Sequence, residues 1–100
     1  MSNQFGNKIR LLREENNLLL RQVAPLLEID SPQLSKIERG ERQAKKEYIP
    51  LFAKIFKVTI DELLTLWLAD QLFDVIQGEF KKGAGEDNMD WKTYEFIFNK

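Results

Sequence analysis

The 100-residue chain contains no cysteine and no histidine. The first absence excludes disulfides and thiolate chemistry. The second removes imidazole metal ligands and the commonest general base near neutral pH. No apolar run approaches the ~20 residues of a membrane-spanning helix, and the opening "MSNQFGNK" lacks the apolar core of a signal peptide. A glycine-rich phosphate loop and a clustered carboxylate pair are also missing. The expectation is therefore a soluble cytoplasmic protein that is not an enzyme, with no cofactor and no metal.

What is present is a balance of charge that hides an asymmetry. The net charge is −1. Residues 1–58 hold eleven Lys/Arg against seven Asp/Glu, whereas residues 59–100 hold four against nine. The front half can attract a polyanion over roughly 8–10 Å of screened solvent. The back half repels one and so orients the molecule. A solvated pair of faces would show the same blocks.

The apolar spacing is helical almost throughout. In "FGNKIRLLREENN", Phe5, Ile9 and Leu12 share a face, and Asn17 suits a left-handed terminator. In "LLLRQVAPLLEI", Leu20, Val23, Ala24 and Leu27 share a face, while Pro25 predicts a kink or a late start. "IDSPQLSKIERG" has Asp30 as N-cap, Pro32 in the first turn, Gln33 as the capping-box partner and Gly40 just past the end. Leu34 and Ile37 point inward.

"KEYIPLFAKIF" buries Ile49, Phe52, Ala53 and Phe56, with Pro50 in or just after its first turn. "TIDELLTLWLADQLFDVIQG" opens with a second capping box, Thr59 to Glu62, and can run to Gly78. Residues 1–78 thus form one domain. Residues 79–100 form a polar, flexible segment and an aromatic tail. In that tail Tyr94, Phe96 and Phe98 alternate as in a strand, whereas Trp91, Tyr94 and Phe98 share one helical face. Both conformations fit the residues.

Five helices joined by tight turns make an all-α domain, and the third follows the second after "EID", the spacing of a helix-turn-helix. Residues 5 to 64 resemble the Xre/Cro-type helix-turn-helix of the lambdoid phage repressors. The resemblance rests on "FGNKIRLLR", Val23-Ala24, "LSKIERGER" and "AKIFKVTIDELL" taken together. It implies a five-helix, lambda-repressor-like DNA-binding domain whose third helix, Ser31 to Arg39, enters the major groove.

By position, the family's base-reading residues fall on Ser31, Pro32, Gln33 and Lys36, with Ser35 as a further candidate. Gln can pair with adenine, Lys can reach guanine, and Pro32 can offer only an apolar surface, for instance to a thymine methyl. Gln33 could instead serve only its capping box, and Lys36 could touch only phosphate. The resemblance puts Arg39, Arg42, Gln43, Lys45 and Lys46 along the phosphate backbone. It makes Arg13 and Glu38 a structural ion pair, and Leu18, Val23, Leu34, Ile37, Phe52 and Leu63 are core positions.

The chain also departs from the family pattern. Leu19 and Leu20 stand where a Ser/Thr cap and a phosphate-binding Gln are usual, which passes the phosphate role to Arg21 and Gln22. Glu28 and Lys57 replace common glycines, and Pro25 is unusual.

Beyond Leu64, residues Leu66, Trp67, Leu68, Ala69, Leu72, Phe73, Val75 and Ile76 wrap around more than one helical face. One stripe can cover the domain and the remainder can form an interface. The expectation is a homodimer through Trp67, Leu68, Leu72, Phe73 and Ile76, with Trp91, Tyr94, Phe96 and Phe98 as an arm. Its partner would be double-stranded operator DNA, bound as a repressor binds it. The alternative is an antitoxin-type module whose acidic, aromatic C-terminal part holds a partner protein.

Overall fold

Among the described residues, four helix ends are set by residues in the left-handed region: Asn17, Glu28, Gly40 and Lys57. The computed structural model describes the backbone of residues 2–82 and the side chains of residues 2–78. Within it run α1 (Gln4–Glu15), α2 (Leu20–Val23), a 3-10 helix (Ala24–Leu27), α3 (Ser31–Glu38), α4 (Tyr48–Phe56) and α5 (Ile60–Lys82). The described residues are all helix, turn and loop, with no strand. Trp91, Tyr94, Phe96 and Phe98 lie outside the described residues.

The helical periodicity of the sequence becomes one core. Phe5, Ile9 and Leu12 from α1 meet Leu34 and Ile37 from α3, Ile49, Phe52 and Phe56 from α4, and Leu63 from α5. Phe52 is fully buried at its centre, edge-on to Phe5 at 5.9 Å and stacked with Phe56 at 6.1 Å. Leu18 packs partly buried against this cluster.

Asn17 (φ 56°) ends α1. The Leu18 N–H then donates to the Arg13 carbonyl at 3.0 Å and the Asn17 N–H to Glu14 at 3.0 Å, satisfying carbonyls that the helix leaves open. Glu28 and Lys57 do the same for the 3-10 helix and α4, through Ile29 N–H to Ala24 (3.2 Å) and Val58 N–H to Ala53 (3.1 Å).

Two boundaries differ from the sequence-based expectation. The second helix is only four residues of α-helix before it tightens into the 3-10 helix, with Pro25 in that helix's first turn. Proline lacks the N–H that would continue the α-helical ladder, and the tighter winding sets in around it, from Ala24. The last helix passes Gly78 and continues to Lys82. A single glycine in a helix costs only about 1 kcal/mol and need not end it.

The start of α1 holds a feature that has no local sequence signal. Its N-cap, Asn3, makes no side-chain cap bond; Asn3 Nδ2 donates instead to the Glu38 carbonyl at 2.9 Å. The cap comes from α5. Asp70 Oδ1 accepts the Gln4 N–H at 2.8 Å and the Ser2 hydroxyl at 2.6 Å, and Asp70 Oδ2 accepts the Phe5 N–H at 2.8 Å. Beside it, α1 touches the end of α3 backbone to backbone at Gly6. A Cβ there would lie 2.5 Å from the Ile37 carbonyl and 2.7 Å from that of Glu38.

Glu28 carries a Cβ in a conformation that disfavours one, at an exposed position. Glu28→Gly is expected to raise stability by about 1 kcal/mol, read as a higher urea midpoint at unchanged slope.

Candidate nucleic-acid interface

Asp30 starts α3 by accepting the Gln33 N–H at 2.8 Å. Only this half of the expected capping box forms. Among the described residues the Gln33 carboxamide makes no hydrogen bond, and the residue is half-exposed. Leu34, Ile37 and Glu38 are buried, whereas Pro32, Lys36 and Arg39 are exposed at the three- and four-residue spacing of one face. Ser31, Gln33 and Ser35 flank that face, half-exposed. Every residue predicted to read bases therefore lies on, or at the border of, one outward surface of α3.

The inward surface is held by a buried ion pair. Arg13 Nε and Nη2 donate to Glu38 Oε2 and Oε1 at 2.7 and 3.0 Å, and Arg13 Nη1 donates to the Leu18 carbonyl at 3.0 Å. The two side chains are 12% and 4% exposed. The hydrogen bond to Glu38 raises the Arg13 pKa and outweighs the opposing effect of burial. The pair ties the end of α1, the turn after it and the end of α3 into one frame, as the sequence led us to expect.

Around α3 the other predicted residues divide. Arg21, Arg42, Gln43, Lys45 and Lys46 are exposed, and none of the four cations among them forms an ion pair with a described residue. Arg39 is paired with Glu41 at 2.8 Å, an exposed bridge that solvent weakens and a phosphate can exchange. Gln22 is engaged locally. Its Oε1 accepts the Leu19 N–H at 2.7 Å, standing in for the cap that Leu19 cannot provide. Its amide nitrogen stays available. Leu20, half-buried, packs on the core.

The loop between α3 and α4 carries its cations on either side of one buried residue, Ala44. The Ala44 carbonyl accepts the Trp67 indole N–H at 2.8 Å. Trp67, expected at an interface between copies, packs partly buried against its own domain. Further along α5, Leu68 is 49% exposed, Phe73 39% and Val75 60%, with Leu72 and Ile76 half-exposed. Leu68, Leu72 and Ile76 lie on the side of α5 roughly opposite the Leu63, Trp67 and Asp70 stripe that faces the domain, with Val75 and Phe73 on its two flanks.

Sequence reasoning passed over Asn3, Gly6, Ala44 and Asp70. A signal for Asp70 existed: it sits three residues after Trp67 and seven after Leu63, on the buried stripe, where a carboxylate demands a partner.

A short helix, a tight turn and a second helix with a free outer face, braced by a third, define a helix-turn-helix module. The chain belongs to the Xre-like helix-turn-helix family, whose pattern matches residues 9–63. It is also similar to the HTH-type transcriptional activator BcrR of Enterococcus faecalis, at 37% identity over 95 residues. That alignment covers 95% of this chain but 42% of the relative, so the chain spans less than half of that protein's length. No solved structure matches.

Removing one partner of the buried pair leaves an uncompensated charge. Arg13→Met is expected to lower stability by about 3 kcal/mol in urea unfolding, and adding Glu38→Leu should recover part of that loss. Single and double variants of equal stability would contradict it.

Proposed function

We propose that the protein is a sequence-specific DNA-binding transcription regulator that lays α3 in the major groove of an operator. The observation that carries this reading is the free outer face of α3, with Pro32, Gln33 and Lys36 unengaged while Arg13 and Glu38 fix the face behind it. Gln33 is suited to pair bidentately with adenine N6 and N7, and Lys36 to reach guanine O6 and N7. Pro32 offers a donor-free surface to a thymine methyl, with Ser31 and Ser35 beside it. Arg21, Arg39, Arg42, Gln43, Lys45 and Lys46, with the amide of Gln22, follow the phosphates. They release counterions and set the register of α3 on the duplex.

The exposed apolar side chains of α5, Leu68, Leu72, Phe73, Val75 and Ile76, support a two-fold dimer. Such a dimer presents two copies of α3 to the half-sites of a palindromic operator, about 34–36 Å apart. Among the described residues no helix is long and apolar enough to cross a membrane, and the work of the domain lies with DNA in the cytoplasm. The relative is named an activator. The docking proposed here serves repression or activation alike, because operator position relative to the promoter decides the sign.

Selection of operators from random DNA, with binding followed against salt, tests the reading. Each neutralised phosphate contributes roughly −0.9 to the log–log slope. Lys36→Ala should relax preference at one base and cost about 1–3 kcal/mol there, whereas Lys45→Ala should weaken all sequences alike and flatten the slope by about 1. A flat salt response with no enriched sequence rejects DNA binding. For the dimer, sedimentation at micromolar concentration should give twice the chain mass for the wild type and a monomer for Leu72→Glu. A wild-type monomer rejects it.

A further inference from the structure

The loop from Gly40 to Glu47 has no regular secondary structure, yet it carries Arg42, Gln43, Lys45 and Lys46. Its two ends are tied to the flanking helices. The Glu41 and Arg42 N–H groups donate to the Lys36 carbonyl at 2.9 and 3.3 Å, and the Tyr48 N–H donates to the Lys45 carbonyl at 3.0 Å. Between Arg42 and Lys45, among the described residues, the hydrogen bond that holds the loop runs from Trp67 Nε1 to the Ala44 carbonyl. On one side the loop borders a recess whose far wall includes Ser2, Asn3, Phe5, Asp70, Gln71 and Asp74. The middle of the loop therefore rests on buried Ala44 and on the indole N–H above it.

We propose that Trp67 is a positioning residue for DNA binding: through the Ala44 carbonyl it sets the path of the loop, so that its cations meet the phosphate backbone together. Trp67 touches no DNA in this arrangement. It acts on the phosphate contacts as a group, because Arg42 and Gln43 precede the anchored residue and Lys45 and Lys46 follow it. A mobile loop loses conformational freedom when it docks, whereas a held loop has lost it already. The base-reading residues lie on α3, which the Arg13–Glu38 pair holds independently, so they do not depend on Trp67.

The inference rests on the DNA-binding reading above, and the experiment separates the two. Affinity for a selected operator and for random-sequence duplex is measured against salt with the wild-type chain and with Trp67→Phe. The same is done with a variant carrying β-benzothienylalanine at position 67, which keeps the bicyclic shape and lacks the N–H. Loss of one hydrogen bond of ordinary net strength predicts a fall of about five-fold. That fall should be equal for both DNAs, with a salt slope shallower by about 1 and unchanged base preference.

Circular dichroism and sedimentation should match the wild type. If Trp67→Phe does not fold, the benzothienyl variant carries the test, since its shape is that of tryptophan. Wild-type affinity and slope in the folded variant overturn the proposal, as does a loss confined to the operator. A wild-type protein that binds no DNA overturns the DNA-binding reading itself, and the proposal with it.

Discussion

Arg13 and Glu38 bury opposite charges where three backbone segments converge, and the geometry of the helix-turn-helix follows from that contact. Arg13 satisfies both carboxylate oxygens of Glu38 and has a third bond left for the Leu18 carbonyl. Leu18 opens the approach to α2, and Glu38 closes α3, so one guanidinium sets the relation of both. A lysine could match the charge but not the planar fork. The closeness of α1 and α3 at Gly6 and the Asn3 bond to the Glu38 carbonyl belong to the same junction. With α3 held this firmly from behind, its front face needs no partner within the domain.

That front face is chemically sparse. It offers a hydroxyl or two, a carboxamide, an ammonium and a proline ring, all small or unengaged. The exposed cations sit mostly beside it, on α2 and on the loop after α3. In the proposed DNA-binding reading, the element that discriminates is thus separate from the elements that attract, and the net charge of the chain says little about either. Asp61, Glu62, Asp70 and Asp74 lie on α5, which packs behind the module.

The parts of the structure legible in the sequence are those with local causes. The stripe Ile49, Phe52, Ala53 and Phe56 is buried as its spacing predicts. Asp30 and Thr59 cap the helices they precede, and Asn17, Glu28 and Lys57 take the left-handed conformation that the positions require. What was illegible has causes distant in the chain. Asp70 caps a helix 65 residues away, and Trp67 bonds a loop 23 residues away. Nothing beside either residue names its partner; the place of Asp70 on the buried stripe signals only that it needs one. Gln33 shows the complementary failure: its local pattern is a capping box, but only the backbone half forms, and the side chain is released to the surface.

The Asp70 cap also joins the two ends of the domain into a single unit of local stability. The first amides of α1 are satisfied by a side chain of the last helix, so neither end can open without uncovering groups on the other. Ordinarily the first turn of an N-terminal helix frays alone, at almost no free energy. Here fraying at the start of α1 breaks bonds to the middle of α5, and a shift of α5 strips the first turn of α1. A disturbance along α5 is thus felt by the helix that braces α3, through one carboxylate.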